Sequence, residues 1–175
     1  ISLLALPLLI ASCSSSKMVP EGEYILNKVE VKSDSAGYNA GVLKQYVRQK
    51  EKPKLFSLFK NPFSKKPVIY DTLQARLSCQ DLLTAMQNQG FMHAGVSLYT
   101  TKKGKKLDAT YLLHPGEPFV IGKVKYEVED EHIQQLLHLD NPDNQQIKPG
   151  MRFTVETLDN ERRRISSLLT NDGYF

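Results

Sequence analysis

The stretch Tyr24-Ile25-Leu26-Asn27-Lys28-Val29-Glu30-Val31-Lys32 ends in apolar/polar alternation, the period of a half-buried strand. Residues 34–41 are turn material. Val42, Leu43, Tyr46 and Val47 then fall at helical spacing and predict a short helix over 39–49. Asp71 or Thr72 can cap a longer helix whose apolar positions Ala75, Cys79, Leu82 and Met86 step by four, three and four, and Gly90 suits its end. Two alternating runs, 93–101 and 106–114, flank Lys102-Lys103-Gly104-Lys105 and read as a hairpin. The predicted unit is β-α-α-β-β.

After Pro115-Gly116-Glu117-Pro118 the order starts again. Residues 119–126 match 24–31 at an offset of 95, pairing Tyr24 with Phe119, Ile25 with Val120, Lys28 with Lys123 and Val29 with Val124. Residues 131–139 predict a short helix and 155–172 a longer one. The longer one matches the first long helix at an offset of 83, pairing Leu82 with Ile165, Met86 with Leu169, Gly90 with Gly173 and Phe91 with Tyr174. The offsets differ by 12, about one extra loop within 50–66. The second copy reaches Phe175 before its hairpin, and a sheet lacking two of three strands exposes an edge and a core face. The sequence is therefore expected to be a piece of a longer protein.

The N-terminus brings a different chemistry. Residues 1–12, ISLLALPLLIAS, are apolar and uncharged, too short for the roughly 20 residues of a spanning helix but the length of a secretion-signal core. Ile10-Ala11-Ser12-Cys13 resembles a bacterial lipobox, with Cys13 as the lipid-attachment residue. The competing reading is a buried N-terminal helix. Acylation of Cys13 would leave Cys79 without a disulfide partner, and two or more acyl chains anchor a protein stably. Neutral serines follow Cys13, with no inner-membrane retention aspartate, which points to the outer membrane.

Net charge is +4, yet residues 44–66 alone carry +7, from eight Lys and Arg against Glu51, which leaves −3 for the remainder. In that segment Lys54, Phe56, Phe59, Lys60, Phe63, Lys65 and Lys66 form a candidate membrane-surface or partner patch. A solvated loop whose aromatics pack on the domain is the alternative. Secretion excludes cytoplasmic nucleic acid as a partner.

These features together carry a family resemblance. Tandem β-α-α-β-β units, each with an Asn-x-Gly-aromatic helix ending (Asn88–Phe91 and Asn171–Tyr174), resemble POTRA domains, and Pro115–Val124 is similar to the junction between successive POTRA units. With the lipobox, VPEGEYILNKVEVKSD and VIYDTL, the chain resembles the N-terminus of the lipidated TamA-like proteins of Bacteroidetes, called TamL, within the BamA/TamA superfamily. The resemblance implies an α+β fold: a three-stranded mixed sheet with two helices on one face. It divides the chain into a signal peptide at 1–12, a tether at 13–22, a first POTRA domain at 23–115 with a basic insertion at 50–67, and an incomplete second one at 116–175. It implies periplasmic domains that bind unfolded outer-membrane or exported clients and accessory assembly subunits for a C-terminal β-barrel. A free-standing lipoprotein scaffold is the alternative.

In that fold the strand at 93–101 is a free edge open to β-augmentation, with His93, Gly95, Ser97 and Tyr99 on one face and Ala94, Val96 and Leu98 on the other. The alternative is an edge covered by a loop or the next domain. Catalytic chemistry is sparse. His93, His114, His132 and His138 are scattered without metal-ligand spacing, and Cys79 reads as a half-buried, inert thiol. Asp71 reads as a cap, and Glu161-Arg162-Arg163-Arg164 as a solvated helix face, with contact to a neighbouring domain as the alternative. The expectation is a protein without enzymatic activity, metal or cofactor.

Overall fold

The computed structural model describes residues 19–51, 67–139 and 141–174. The first unit holds strand β1 (Ile25–Ser33), a 3-10 turn (Ala40–Tyr46), helix α1 (Thr72–Asn88) and strands β2 (Gly95–Lys103) and β3 (Lys106–His114). The sheet order is β1-β3-β2, with β3 parallel to β1 and antiparallel to β2. The three-stranded mixed sheet with helical elements on one face is the fold the sequence predicts.

One face of each strand supplies the core: Leu26 and Val29 from β1, and Leu107, Ala109, Tyr111 and Leu113 from β3. They meet Leu43 of the 3-10 turn, Val47 just after it, and Leu82, Ala85 and Met86 of α1. A break in register between Leu26 and Lys28 lets Leu26 and Val29, three apart, share the core face. The predicted helix at 39–49 forms only as seven residues of 3-10 helix. Its flanking residue Asn39 makes no side-chain cap and Gly41 lies inside it, both of which disfavour a longer α-helix. Helix α1 begins as predicted: the Asp71 carboxylate accepts the N–H groups of Leu73 and Gln74 at 2.7 and 3.2 Å. Ser78, fully buried, is satisfied by accepting the Arg48 N–H at 3.0 Å and donating to the Gln74 carbonyl at 2.7 Å.

The second unit repeats the first in hydrogen-bond register. Helix α3 (Val155–Asn171) is as long as α1, 17 residues, with Thr154 capping it at the position equivalent to Asp71. Gly90 and Gly173 both take φ +92°. The bridge Ile25–Ile69 recurs as Val120–Arg152. Its flanking bonds recur too: Leu26 N–H to Val68 O becomes Ile121 N–H to Met151 O, and Tyr70 N–H to Tyr24 O becomes Phe153 N–H to Phe119 O. Offsets of 95 and 83 thus describe one repeated architecture.

Three expectations fail here. Residues 119–126 form no strand among the described residues, because a strand needs a ladder and their backbone bonds, to Gly90 and to residues 150–153, lie only at the start of the segment. The Glu161–Arg164 run is not simply solvated. Glu161 is 3% exposed, accepts the Tyr126 hydroxyl at 2.7 Å and forks with Arg164 at 2.8 and 2.9 Å; Arg162 and Arg163 alone face solvent, both paired with Asp159. Glu161 stands at the position of Ser78, so each unit buries one polar side chain at this point of its long helix. Helix α2 (Glu131–Leu136) is shorter than the 131–139 predicted, and His138 lies beyond it at φ +54°.

The units meet at the end of α1. The Gly90 carbonyl accepts the Phe119 N–H at 2.8 Å, and the Arg152 guanidinium lies 5.2 Å from the Phe91 ring centroid. A Cβ on Gly90 would stand 2.5 Å from the Phe153 carbonyl oxygen, so glycine is required both by φ and by the approach of the second unit.

Candidate functional site: the edge strand and its polar face

Strand β2 is an edge of the sheet, and the register identifies which of its backbone groups are free. Successive residues of a strand direct N–H and C=O to opposite neighbours. The Leu113 carbonyl accepts the Asp34 N–H at 3.2 Å, so the odd-numbered residues of β3 turn towards β1 and the even ones towards β2. His114, Leu112 and Thr110 stand opposite Gly95, Ser97 and Tyr99. Gly95, Ser97 and Tyr99 are therefore bonded inward, and the N–H and C=O groups of Val96, Leu98 and Thr100 face outward.

The opposite edge is partly covered. Beside β1, Leu26 donates to Val68 and Tyr70 donates to Tyr24, each at 2.8 Å, and the Val29 N–H bears on the Glu51 carboxylate. Among the described residues β2 has no comparable cover.

The two faces of β2 divide as the alternation predicts. Ala94, Val96 and Leu98 pack on the core, while Tyr99 is 56% exposed on the other side. His93 is a correction: the strand starts at Gly95, and His93 sits in the preceding turn with its ring 5.1 Å from Phe119, at the junction of the units. A rim of cations ends the hairpin, where Lys102 lies 4.4 Å from the Tyr24 ring centroid.

On the face away from the helices, the hairpin register sets Ser97 diagonally across from His114. Ser97 Oγ and His114 Nε2 are 2.9 Å apart, and His114 Nδ1 is 2.5 Å from the Asp34 carboxylate. An ionised carboxylate only accepts, which places the proton on Nδ1; the free Nε2 of the neutral ring then accepts the Ser97 hydroxyl. Sequence reasoning left His114 among scattered histidines. Counting back from the turn, with Lys103 opposite Lys106, brings Gly95 opposite His114 and would have found the Ser97 contact. Nothing local to the sequence signals Asp34.

The remaining predicted residues are more distant or lie outside the described residues. Cys13 and the patch Lys54, Phe56, Phe59, Lys60, Phe63, Lys65 and Lys66 are among the latter. Cys79 is a half-buried free thiol against the core, its ionisation pushed up by burial. His132 Nε2 donates to the Asp172 carboxylate at 2.7 Å, and hydrogen bonding to that carboxylate raises the imidazole above its ordinary value. Among the described residues no group of His, Cys, Asp and Glu has metal-binding geometry, and no helix is long and apolar enough to cross a membrane.

No protein-family model matches the chain, and no curated protein does. Among solved structures, it is similar to the crystal structure of POTRA domains 3–5 of Haemophilus influenzae BamA, at 13% identity and a TM-score of 0.43. The match covers 87% of this chain and 52% of that one, about half its length.

Proposed function

We propose that this chain is the periplasmic, lipid-anchored POTRA part of an outer-membrane protein assembly or translocation machine of the BamA/TamA type, related to the lipidated TamA-like proteins. Its β2 edge takes up extended segments of client or accessory proteins. The observation that supports this reading is the row of outward N–H and C=O groups at Val96, Leu98 and Thr100. Backbone pairing tolerates many client sequences, because the bonds come from the main chain while alternate side chains meet Val96 and Leu98 on one face and Ser97 and Tyr99 on the other.

The test uses proline, which removes one backbone donor. Thr100 is exposed with its N–H outward, whereas Thr101 stands opposite Asp108 and is bonded into the sheet. Proline is tolerated on an edge strand where its nitrogen faces solvent. Thr100→Pro is expected to keep the fold while abolishing binding of a ten-residue amphipathic peptide taken from an outer-membrane β-barrel strand, read by fluorescence anisotropy. Thr101→Pro is expected to disrupt the sheet itself. Undiminished binding to folded Thr100→Pro would refute docking at this edge.

Anchoring is tested separately. Cys13→Ala is expected to release the chain from membranes unless a barrel holds it there, with Cys79→Ala remaining membrane-bound.

A further inference from the structure

Strand docking uses the backbone of β2 and gives no role to the hydrogen-bonded chain Asp34–His114–Ser97. Each link has the length and order of a nucleophile, its base and an orienting acid: Ser97 Oγ to His114 Nε2 at 2.9 Å, then His114 Nδ1 to the Asp34 carboxylate at 2.5 Å. Three different elements hold it. Ser97 is fixed by the hairpin register, His114 is the last residue of β3, and Asp34 follows β1 with its N–H on the Leu113 carbonyl. The side chains of His114 and Asp34 are 38% and 49% exposed, so a solute can reach the base. Leu98, the residue after the serine, has its N–H on the free edge, where it can donate to the carbonyl oxygen of a compound lying along β2.

We propose that Ser97 is a nucleophile for acyl transfer from activated carboxylic esters, with His114 as its general base and Asp34 as a positioning residue. Ser97 Oγ attacks the ester carbonyl carbon while its proton passes to His114 Nε2. The carbon–oxygen bond to the leaving group breaks, and His114 returns that proton to the departing alcohol, leaving an acyl ester on Ser97. Water then attacks the acyl carbon, gives one proton to His114 and releases the carboxylic acid; His114 reprotonates Ser97. Asp34 keeps the proton on Nδ1 throughout, so that Nε2 is the nitrogen that works. The sequence reads as non-enzymatic because these residues, at positions 34, 97 and 114, come together only through the sheet register.

The experiment treats the whole chain with a fluorophosphonate probe and with p-nitrophenyl acetate, locating adducts by peptide mass spectrometry. The expected result is a dominant adduct at Ser97, absent in Ser97→Ala and formed about 100-fold more slowly in His114→Gln, the scale of general-base assistance. Asp34→Asn is expected to slow it comparably and Asp34→Glu to restore much of the rate, a rescue that loss of packing would not give. Backbone circular dichroism checks that each variant is folded. Should His114→Gln unfold, Ser97→Cys supplies the second test: its thiol is expected to react with iodoacetamide at least tenfold faster than the half-buried Cys79. Modification of Ser97 no faster than that of the other serines, or at the same rate in a folded His114→Gln protein, overturns the proposal. Either result leaves peptide docking at β2 standing, since Thr100→Pro tests that on its own.

Discussion

Substituting Gly90 by alanine should uncouple the two units, and Gly173 supplies an internal control. Both glycines take φ +92°, so alanine at either position meets the same backbone penalty, about 1–2 kcal/mol for an L-residue in left-handed space. Their surroundings differ. A Cβ on Gly173 meets nothing within 4 Å, whereas one on Gly90 would stand 2.5 Å from the Phe153 carbonyl oxygen. Relief requires the second unit to move away from the first. That motion breaks the Phe119 N–H to Gly90 carbonyl bond, a net loss of about 0.5–1.5 kcal/mol. It also separates Arg152 from the Phe91 ring, about 0.5–1 kcal/mol more. Gly90→Ala should therefore cost about 1–2.5 kcal/mol beyond Gly173→Ala. Hydrogen exchange followed residue by residue, combined with urea denaturation, reads both quantities: the Phe119 amide should lose protection in Gly90→Ala and keep it in Gly173→Ala. Equal costs for the two substitutions, or a protected Phe119 amide in Gly90→Ala, would refute the junction argument.

Other predictions concern the second unit. Asp172 raises the ionisation of His132, so their pairing stabilises the unit fully below the ordinary histidine value of about 6.5 and fades as pH rises through the higher folded value. Thermal melts from acidic to alkaline pH should show this slope, and His132→Gln should remove it. Arg164→Met strips the partner from buried Glu161, whose carboxyl that guanidinium holds below its usual range, and should cost about 3–5 kcal/mol by urea denaturation. Adding Glu161→Leu should recover most of the loss. Finally, appending the sequence of residues 93–115 after Phe175 should pair residues 122–128 as β1 is paired. The amides of Lys123, Lys125 and Glu127 should then become protected from exchange while those of Val124 and Tyr126 do not; uniform exchange would contradict the repeat register.

Helix α1 was legible because two independent signals agreed, apolar spacing inside and a capping side chain at the start, and α3 followed from its match to α1 at an offset of 83. Asp71 and Thr154 are bonded as caps, and both helices end one residue before the residue that precedes a left-handed glycine. Residues 119–126 carry as good a strand pattern as 24–31 does, but pattern describes which face can be buried, not whether a neighbouring strand is there to bond it. The buried Glu161–Arg164 pair was hidden by composition: four charged residues in a row look solvated, although the offset of 83 puts Glu161 on the core-facing position of Ser78. The free edge followed from topology once β3 was placed between the other strands. Its outward groups, and the Ser97–His114 contact, needed the register, which the short turn at Gly104 fixes within the hairpin. Asp34 joins them through the parallel pairing of β1 with β3, a long-range choice that no local spacing encodes.

That parallel pairing governs the order in which the unit can form. Asn27 of β1 bonds to Asp108 of β3 at a sequence separation of 81, while the β2–β3 hairpin closes over a turn of two residues. Closing a long loop costs conformational entropy before any contact compensates it, so distant pairings form late. Synthesis from the N-terminus delivers β1 first, and the strand waits for the hairpin before it has a partner. Until then its Leu26, Val29 and Val31 are exposed, and the unit is itself a candidate for the chaperoning that a protein-assembly role would have it give to others.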